Sequence, residues 1–123
     1  MTRKKCDACK NGAKFNVPIT MAFQPMVAIG AQKIFAYEAL LRGKDGSSPR
    51  DVFRQVTPDT LYAFDQKCRT TSIELAAELD LAGEGALLSM NFLPNAVYDP
   101  KACIRLTLEV AKKTGFPVDR IMF

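Results

Sequence analysis

The alternation of helical segments with short apolar segments is the feature of this sequence that most constrains its fold. Helices are predicted for residues 48–56, 59–79 and 99–114, and short apolar segments suited to buried strands lie at 86–92 and 120–123. This rhythm is typical of a parallel α/β sheet with right-handed crossovers. Because a barrel of this type needs roughly 250 residues, the 123 residues of the chain predict about half of one.

A β-hairpin is predicted ahead of the first helix. Residues 19–29 form an apolar run that contains Pro25, which confines this strand to the edge of a sheet or requires a distortion. The sequence Gly-Ala-Gln at 30–32 then turns the chain into a second strand over residues 33–41.

The end of the second strand has a competing helical interpretation. Glu38 to Arg42, followed by Gly43, also suits the last turn of a helix with a C-cap glycine. In that helix Glu38 and Arg42 form a surface pair four residues apart. In a strand the two side chains project from one face, about 13 Å apart, and can serve two parts of one ligand. The residues alone leave both interpretations open.

Each long helix is predicted to bury one apolar face. Gly115 is expected to end the last helix, and Pro117 blocks its continuation. Free cysteine in such a face acts as a small buried hydrophobe. The residues predicted to point inward are Leu61, Phe64, Cys68, Thr71, Leu75 and Leu79 in the first long helix and Cys103, Leu106, Val110 and Ala111 in the second.

The chain divides into a basic tail or linker at residues 1–17 and one domain at residues 18–123. The tail carries Cys6 and Cys9 as a Cys-x-x-Cys motif. A structural zinc site needs about four ligands, and the sequence has no histidine. The pattern therefore favours a solvated segment over a zinc site, a redox pair or a phosphate-binding arm.

Composition indicates a soluble protein. The charged fraction is 24%, and no apolar run approaches the roughly 20 residues that cross a bilayer. The basic start of the chain lacks the apolar segment of a secretory signal. We therefore expect a cytoplasmic protein without membrane contacts.

Candidate functional residues are polar side chains among apolar ones near strand ends. Asn91 ends a predicted buried strand, where α/β barrels place their active sites. It could ligate a hard cation or cap a turn with Pro94 and Asn95. Glu38 inside a barrel would need a cation or a donor, although a surface carboxylate is the simpler interpretation. Considered alone, Gln24 beside Pro25 is also interpreted more simply as a structural residue than as part of a site.

Five motifs, however, occur in one order: Phe-Gln-Pro at 23–25, Ala-Tyr-Glu-Ala-Leu-Leu-Arg-Gly at 36–43, Tyr-Ala-Phe-Asp-Gln-Lys-Cys-Arg at 62–69, Ser-Met-Asn-Phe-Leu-Pro at 89–94 and Gly-Phe-Pro at 115–117. In this order and spacing the chain resembles the N-terminal half of EAL-domain cyclic-di-GMP phosphodiesterases. The resemblance starts near residue 19.

The resemblance implies an α/β fold, namely the N-terminal half of a TIM-barrel-like domain whose first strand is antiparallel. It implies that Glu38 is catalytic and ligates Mg²⁺ or Mn²⁺ together with Asn91. Arg42 would hold a phosphate of cyclic-di-GMP, and Gln24 would line the nucleotide groove. The expected reaction opens the cyclic dinucleotide to linear pGpG.

The family's later metal ligands and catalytic lysine follow the strand at 120–123, so we expect this chain alone to hydrolyse little or nothing. A non-enzymatic regulator that binds cyclic-di-GMP or a protein is the alternative. A small basic nucleic-acid-binding module is the third possibility, although no nucleic acid polymer is expected as partner. Half a barrel exposes strand edges, which makes a homodimer or a swapped assembly possible.

Overall fold

A computed structural model describes residues 14–83, 85–91 and 100–122, without the side chains of 100–103. The described elements follow the predicted order, and the helical alternative for the segment around Glu38 is wrong because this segment is a strand. The elements are β1 (Ile19–Ala28), β2 (Lys33–Gly43), α1 (Pro49–Phe53), α2 (Leu61–Glu78), β3 (Leu87–Ser89), α3 (Pro100–Thr114), a 3₁₀ turn (Val118–Arg120) and β4 (Ile121–Met122).

The four described strands form one sheet in the order β1-β2-β3-β4. The hairpin strands β1 and β2 are antiparallel, whereas β3 pairs parallel with β2 and with β4. Strand β1 lies at an edge of this sheet, and its register shifts between Met26 and Val27, directly after Pro25. Either feature would accommodate proline in a strand, and β1 has both.

Helix ends follow local capping chemistry. The Ser48 hydroxyl accepts a hydrogen bond from the Asp51 amide at 3.2 Å, and Pro49 occupies the first helical turn of α1. Gly115 ends α3 with a φ of 79°, as predicted. The predicted start of α2 at residue 59 is too early, because the Thr57 amide donates to the Thr60 hydroxyl at 2.8 Å and closes a turn first.

The core lies on one side of the sheet, beneath α2 and α3. A central cluster joins the sheet to both helices, and a second cluster lies around Phe64. In the second cluster Phe15 packs edge-to-face on Phe64 with ring centroids 5.0 Å apart, while the Lys67 ammonium donates to the Val17 carbonyl at 2.8 Å. The central cluster consists of Ala39, Ile73, Ala76, Leu88, Met90, Ala111 and Phe116.

The packing of Phe15 means that the segment just before β1 contributes to the core. The predicted domain boundary at residues 17 and 18 stays a prediction. The paired cysteines Cys6 and Cys9 lie outside the described residues, and so does the side chain of Cys103. In the part of the chain that is described, no helix has the length and apolar character needed to cross a membrane.

The predicted buried face of α2 is partly wrong. Leu79 is 59% exposed, because the helix ends at Glu78 and Asp80 turns the chain with a φ of 52°. Several polar residues point inward instead. The buried face of α2 is therefore rotated about the helix axis relative to the face predicted from apolar residues alone. The buried residues of α2 are Tyr62, Phe64, Asp65, Arg69, Ser72, Ile73 and Ala76.

Candidate functional site

The two faces of the sheet carry different chemistry. Successive side chains of a strand point to opposite faces, so the residues packed in the core define the direction of their neighbours. We call the face whose side chains pack in the core the core face, and the opposite face the open face. The core face includes Met21, Phe23, Ala39, Leu41, Leu88 and Met90, which belong to the core clusters. The open face includes Thr20, Ala22, Gln24, Glu38, Leu40, Arg42, Leu87 and Ser89, none of which belongs to either cluster of described residues.

A row of polar side chains crosses the open face. Glu38 is paired with Gln24 across the antiparallel ladder and with Ser89 across the parallel ladder. Paired residues of neighbouring strands lie about 5 Å apart and on the same face. Glu38 and Ser89 are half-buried, and Gln24 is exposed. The sheet therefore holds the Glu38 carboxylate between two neutral hydrogen-bonding side chains.

Asn91 follows the carboxyl end of β3. The Met90 amide donates to the Met122 carbonyl at 2.9 Å, so the strand pairing continues up to the residue before Asn91. Asn91 is exposed and lies two residues beyond Ser89, about 7 Å further along the strand direction. The structure thus brings Glu38 and Asn91 to neighbouring strands, near the carboxyl edge predicted for a barrel site. The alternative turn with Pro94 and Asn95 lies outside the described residues.

Arg42 lies on the open face four residues beyond Glu38 along β2, closer to the same edge. It is half-buried, paired with Thr20 in the ladder, and its Nη1 donates to the Leu41 carbonyl at 2.6 Å. Since four residues separate it from Glu38, the two Cα atoms lie about 13 Å apart. This spacing allows the cation and the carboxylate to contact different parts of one ligand.

The loop after Arg42 is tightly closed. The Gly43 amide donates to the Ser47 carbonyl at 2.9 Å, and a Cβ at Gly43 would lie 1.9 Å from Ser47 Oγ. Asp45 accepts from the Ser47 amide at 2.9 Å. Hydrogen bonds from the Ser47 side chain and backbone lower the pKa of the Asp45 carboxyl. The glycine therefore permits the turn that ends β2 beside Arg42.

A cavity of about 200 Å³ lies at the carboxyl ends of β2 and β3, against α2. Arg42 and Asn91 both line it, whereas Glu38 and Gln24 do not. Its walls also include Cys68. Burial raises the pKa of the Cys68 thiol to about 12, with the nearby Asp65 charge as a smaller cause. The cavity is on the core side of the sheet, because its lining also includes the core-face residues Met21, Ala39, Leu41 and Met90. It contains two of the predicted site residues, and the polar row on the open face contains the other two.

A buried ion pair on α2 borders this cavity. Arg69 pairs with Asp65 one helical turn away, and the two side chains are 5% and 2% exposed. Arg69 Nη1 also donates to the Thr107 hydroxyl of α3 at 3.4 Å. This pair was not among the residues predicted from the sequence, although an Asp and an Arg four residues apart in a predicted helix are a recognisable signal.

The donor atoms of the site suit a hard cation by type. Glu38 offers carboxylate oxygens and Asn91 a carbonyl oxygen, which are the ligands that Mg²⁺ and Mn²⁺ prefer. No group of three or more His, Cys, Asp or Glu side chains capable of holding a metal occurs among the described residues. Because Mg²⁺ usually keeps several water ligands, a site with two protein oxygens suits such an ion by ligand type.

Comparison with known proteins supports the predicted resemblance. No protein-family model and no curated protein matches the chain. Among solved structures, a standalone versatile EAL protein from Vibrio cholerae O395, in a c-di-GMP-bound form, is 49% identical with a TM-score of 0.82, over 89% of this chain and 45% of that one. A manganese and cyclic-di-GMP complex of BlrP1 from Klebsiella pneumoniae is 25% identical with a TM-score of 0.76, over 85% and 26% of the two chains.

A third structure agrees in fold. The FimX EAL domain from Xanthomonas citri is 24% identical with a TM-score of 0.63, over 84% of this chain and 41% of that chain. The antiparallel β1 followed by parallel strands defines an α/β protein with the N-terminal half of a TIM-barrel-like architecture. More specifically, the chain corresponds to the N-terminal half of the EAL domain, and the predicted resemblance is confirmed. It spans about half the length of the Vibrio protein.

Proposed function

We propose that this chain contributes to a metal-dependent phosphodiesterase that hydrolyses cyclic-di-GMP to linear pGpG in bacterial second-messenger signalling. Its 49% identity to the c-di-GMP-bound Vibrio EAL protein supports the nucleotide. The manganese and calcium complexes of BlrP1 support a divalent ion, Mg²⁺ or Mn²⁺ in this chain. A cytoplasmic location stays a prediction.

Each side chain has a role suited to its chemistry. Glu38 and Asn91 hold the divalent ion through oxygen atoms, and Glu38 is the catalytic carboxylate. The forked donors of the Arg42 guanidinium bind a phosphate, and the Gln24 carboxamide lines the nucleotide groove. Such ions supply charge neutralisation at the phosphate and activation of the attacking water.

The observation that carries the proposal is the arrangement of Glu38 on the open face. Glu38 is the only acidic residue of the four described strands, and it lies between two neutral polar side chains. Arg42 is on the same face and nearer the carboxyl edge, where Asn91 also lies. A ligand that spans the roughly 13 Å between these positions of β2 would contact a carboxylate suited to a metal and a guanidinium suited to a phosphate.

The same scarcity of carboxylates predicts that the isolated chain hydrolyses little or nothing. Phosphodiester hydrolysis at a two-metal site needs several carboxylate ligands and a group that accepts the proton of water, and the described strands supply Glu38 alone. This observation also favours the alternative function, a non-enzymatic EAL-like regulator that binds cyclic-di-GMP or a protein partner.

Calorimetric titration of the 123-residue chain with cyclic-di-GMP and Mn²⁺ tests the proposal. We expect saturable binding that EDTA weakens, and a loss of at least tenfold in Mn²⁺-dependent affinity for Glu38→Gln. The control is Glu74→Gln, which changes an exposed carboxylate of α2 and should leave binding unchanged.

Equal losses in both variants, or no binding by the unaltered chain, would contradict the proposal. Chromatographic assay for pGpG tests the expected inactivity of the chain: binding with little or no pGpG is the expected result, whereas clear turnover by the chain alone would contradict that expectation and exclude the non-enzymatic regulator. Native mass spectrometry of the same samples tests the possible homodimer or swapped assembly.

A further inference from the structure

Ser89 is the nearest neighbour of Glu38 on β3. The parallel ladder pairs Glu38 with Ser89, and Ser89 is paired in turn with Met122 on β4. Backbones of paired strands are about 5 Å apart. Ser89 is thus the polar residue that the sheet sets beside the carboxylate on its β3 side.

The side chains of Glu38 and Ser89 point to the same face. Their chain neighbours Ala39, Leu88 and Met90 are 5%, 0% and 3% exposed and belong to the central core cluster. Because strand side chains alternate, Glu38 and Ser89 must point away from that core. Both are half-buried there, which restricts the directions available to a hydroxyl and a carboxylate.

The residue type at position 89 requires an explanation. The residues that precede and follow it, from Ala86 to Met90, are otherwise apolar, as expected for a buried parallel strand. A half-buried hydroxyl in such a strand keeps only part of its water contacts, so a hydrogen-bond partner within the sheet is favourable. An ionised carboxylate only accepts hydrogen bonds, and a serine hydroxyl can donate one. The adjacent pair is therefore chemically complementary.

We propose that the Ser89 hydroxyl is a positioning group for Glu38, donating a hydrogen bond that orients its carboxylate toward a divalent ion. This inference rests on the proposed function, since it assigns a role to Ser89 as the neighbour of Glu38, a proposed metal ligand. Partners of metal-binding carboxylates fix ligand orientation, and their loss typically lowers metal affinity about 10- to 100-fold. The neutral flanks at Gln24 and Ser89 leave the negative charge of Glu38 available to a cation.

The test compares three variants of the 123-residue chain with cyclic-di-GMP present. Electron paramagnetic resonance measures free Mn²⁺ during titration with manganese chloride. We expect Ser89→Ala to weaken Mn²⁺ binding about tenfold or more, and Ser89→Thr to restore it because the hydroxyl is retained. Thr114→Ala is the control, since the Thr114 hydroxyl donates to the Val110 carbonyl at 2.8 Å on α3 and its loss should not change Mn²⁺ affinity.

A second measurement separates positioning from stability. Cyclic-di-GMP affinity in EDTA and the urea unfolding midpoint should be the same for Ser89→Ala and the unaltered chain. Unchanged Mn²⁺ affinity in Ser89→Ala, with loss in Glu38→Gln, would overturn this inference and leave the proposed function standing. Absence of Mn²⁺ binding that depends on Glu38 would overturn both. Failure of Ser89→Thr to restore binding would also overturn the role of the hydroxyl.

Discussion

The core face and the open face of the sheet are built from alternate residues of the same strands, yet they differ in almost every property. On β3, Leu88 is fully buried in the central cluster, whereas the adjacent Leu87 and Ser89 are half-buried. On β2 the contrast separates buried Ala39 from half-buried Glu38, although Ala36 on the open face is buried as well. What packs against a face, and not the strand itself, decides which residues it tolerates.

This contrast divides stability from chemistry. Helices α2 and α3 cover the core face, so its side chains contribute apolar burial to folding. The open face carries the carboxylate, the guanidinium and the small polar side chains, which retain contact with solvent or a ligand. Substitutions on the core face should therefore change folding free energy, and those on the open face should change binding.

The buried Asp65–Arg69 ion pair of α2, the helix that covers the core face, should affect the free energy of unfolding most strongly. Replacing Arg69 by Met leaves the Asp65 charge buried without this partner, which should cost about 3–5 kcal/mol of unfolding free energy. The control is Arg54→Met, which removes an exposed pair with Asp51 at 3.7 Å and should cost at most about 1 kcal/mol. Urea unfolding followed by circular dichroism measures both, and similar costs would show that the buried pair stabilises the fold no more than the exposed pair does.

A pair of adjacent leucines tests the two faces directly. Leu88→Ala should lower the free energy of unfolding by about 2–5 kcal/mol, because it empties space in the central cluster. Leu87→Ala on the open face should cost clearly less, since Leu87 is only half-buried. Urea unfolding measures both losses. An equal loss of unfolding free energy in Leu87→Ala and Leu88→Ala would mean that the open face is as tightly packed as the core face.

On the open face the expected effect is on binding. Arg42→Lys keeps the charge but removes the forked donors, so cyclic-di-GMP affinity measured by calorimetry should fall about tenfold, equivalent to about 1.4 kcal/mol. Arg50→Lys on α1 changes an exposed arginine and should leave affinity and unfolding unchanged. Unaltered affinity in Arg42→Lys would exclude bidentate phosphate contact at Arg42.

The smallest expected effect reports how well the core side excludes water. The pKa of Cys68 is raised from 9.0 in the unfolded chain to about 12 in the fold. The contribution of the buried neutral thiol to the free energy of unfolding is therefore present below pH 9 and is lost as the pH rises toward 12. At pH 10 the loss should be about 1 kcal/mol. Cys68→Ala should reduce the fall in unfolding free energy between pH 8 and pH 10, and an unchanged fall would show an accessible thiol.

Local signals in the sequence were sufficient for most of the element order. Pro25 predicted the edge strand with its distortion, Ser48 and Pro49 predicted the start of α1, and Gly115 predicted the end of α3. Each of these residues acts on its own backbone through φ restriction or capping. Such effects need no distant contact, so they can be read along the chain.

Two features were not predicted from the sequence, namely the buried face of α2 and the neighbour of Glu38 on the open face. The inner face of α2 includes Asp65 and Arg69, and apolar periodicity alone selected Leu79 instead, which is exposed. The neighbour of Glu38 on the open face could not be named before the ladder register paired it with Ser89. Strand register joins residues far apart in sequence, and the inward orientation of the Asp65–Arg69 pair is accompanied by a contact between Arg69 and Thr107 of α3, so apolar periodicity within one segment does not contain either feature.

The amino-acid order by itself determined the elements of this protein, the apolar alternation of its strands and the motifs that relate it to EAL domains, because these follow from local backbone preferences and residue type. The fold alone decided that Gln24, Glu38 and Ser89 lie in one row, because inter-strand hydrogen bonds set the register. It also decided that Arg42 and Asn91 share a cavity. A site assembled from separate strands exists only once the sheet has formed.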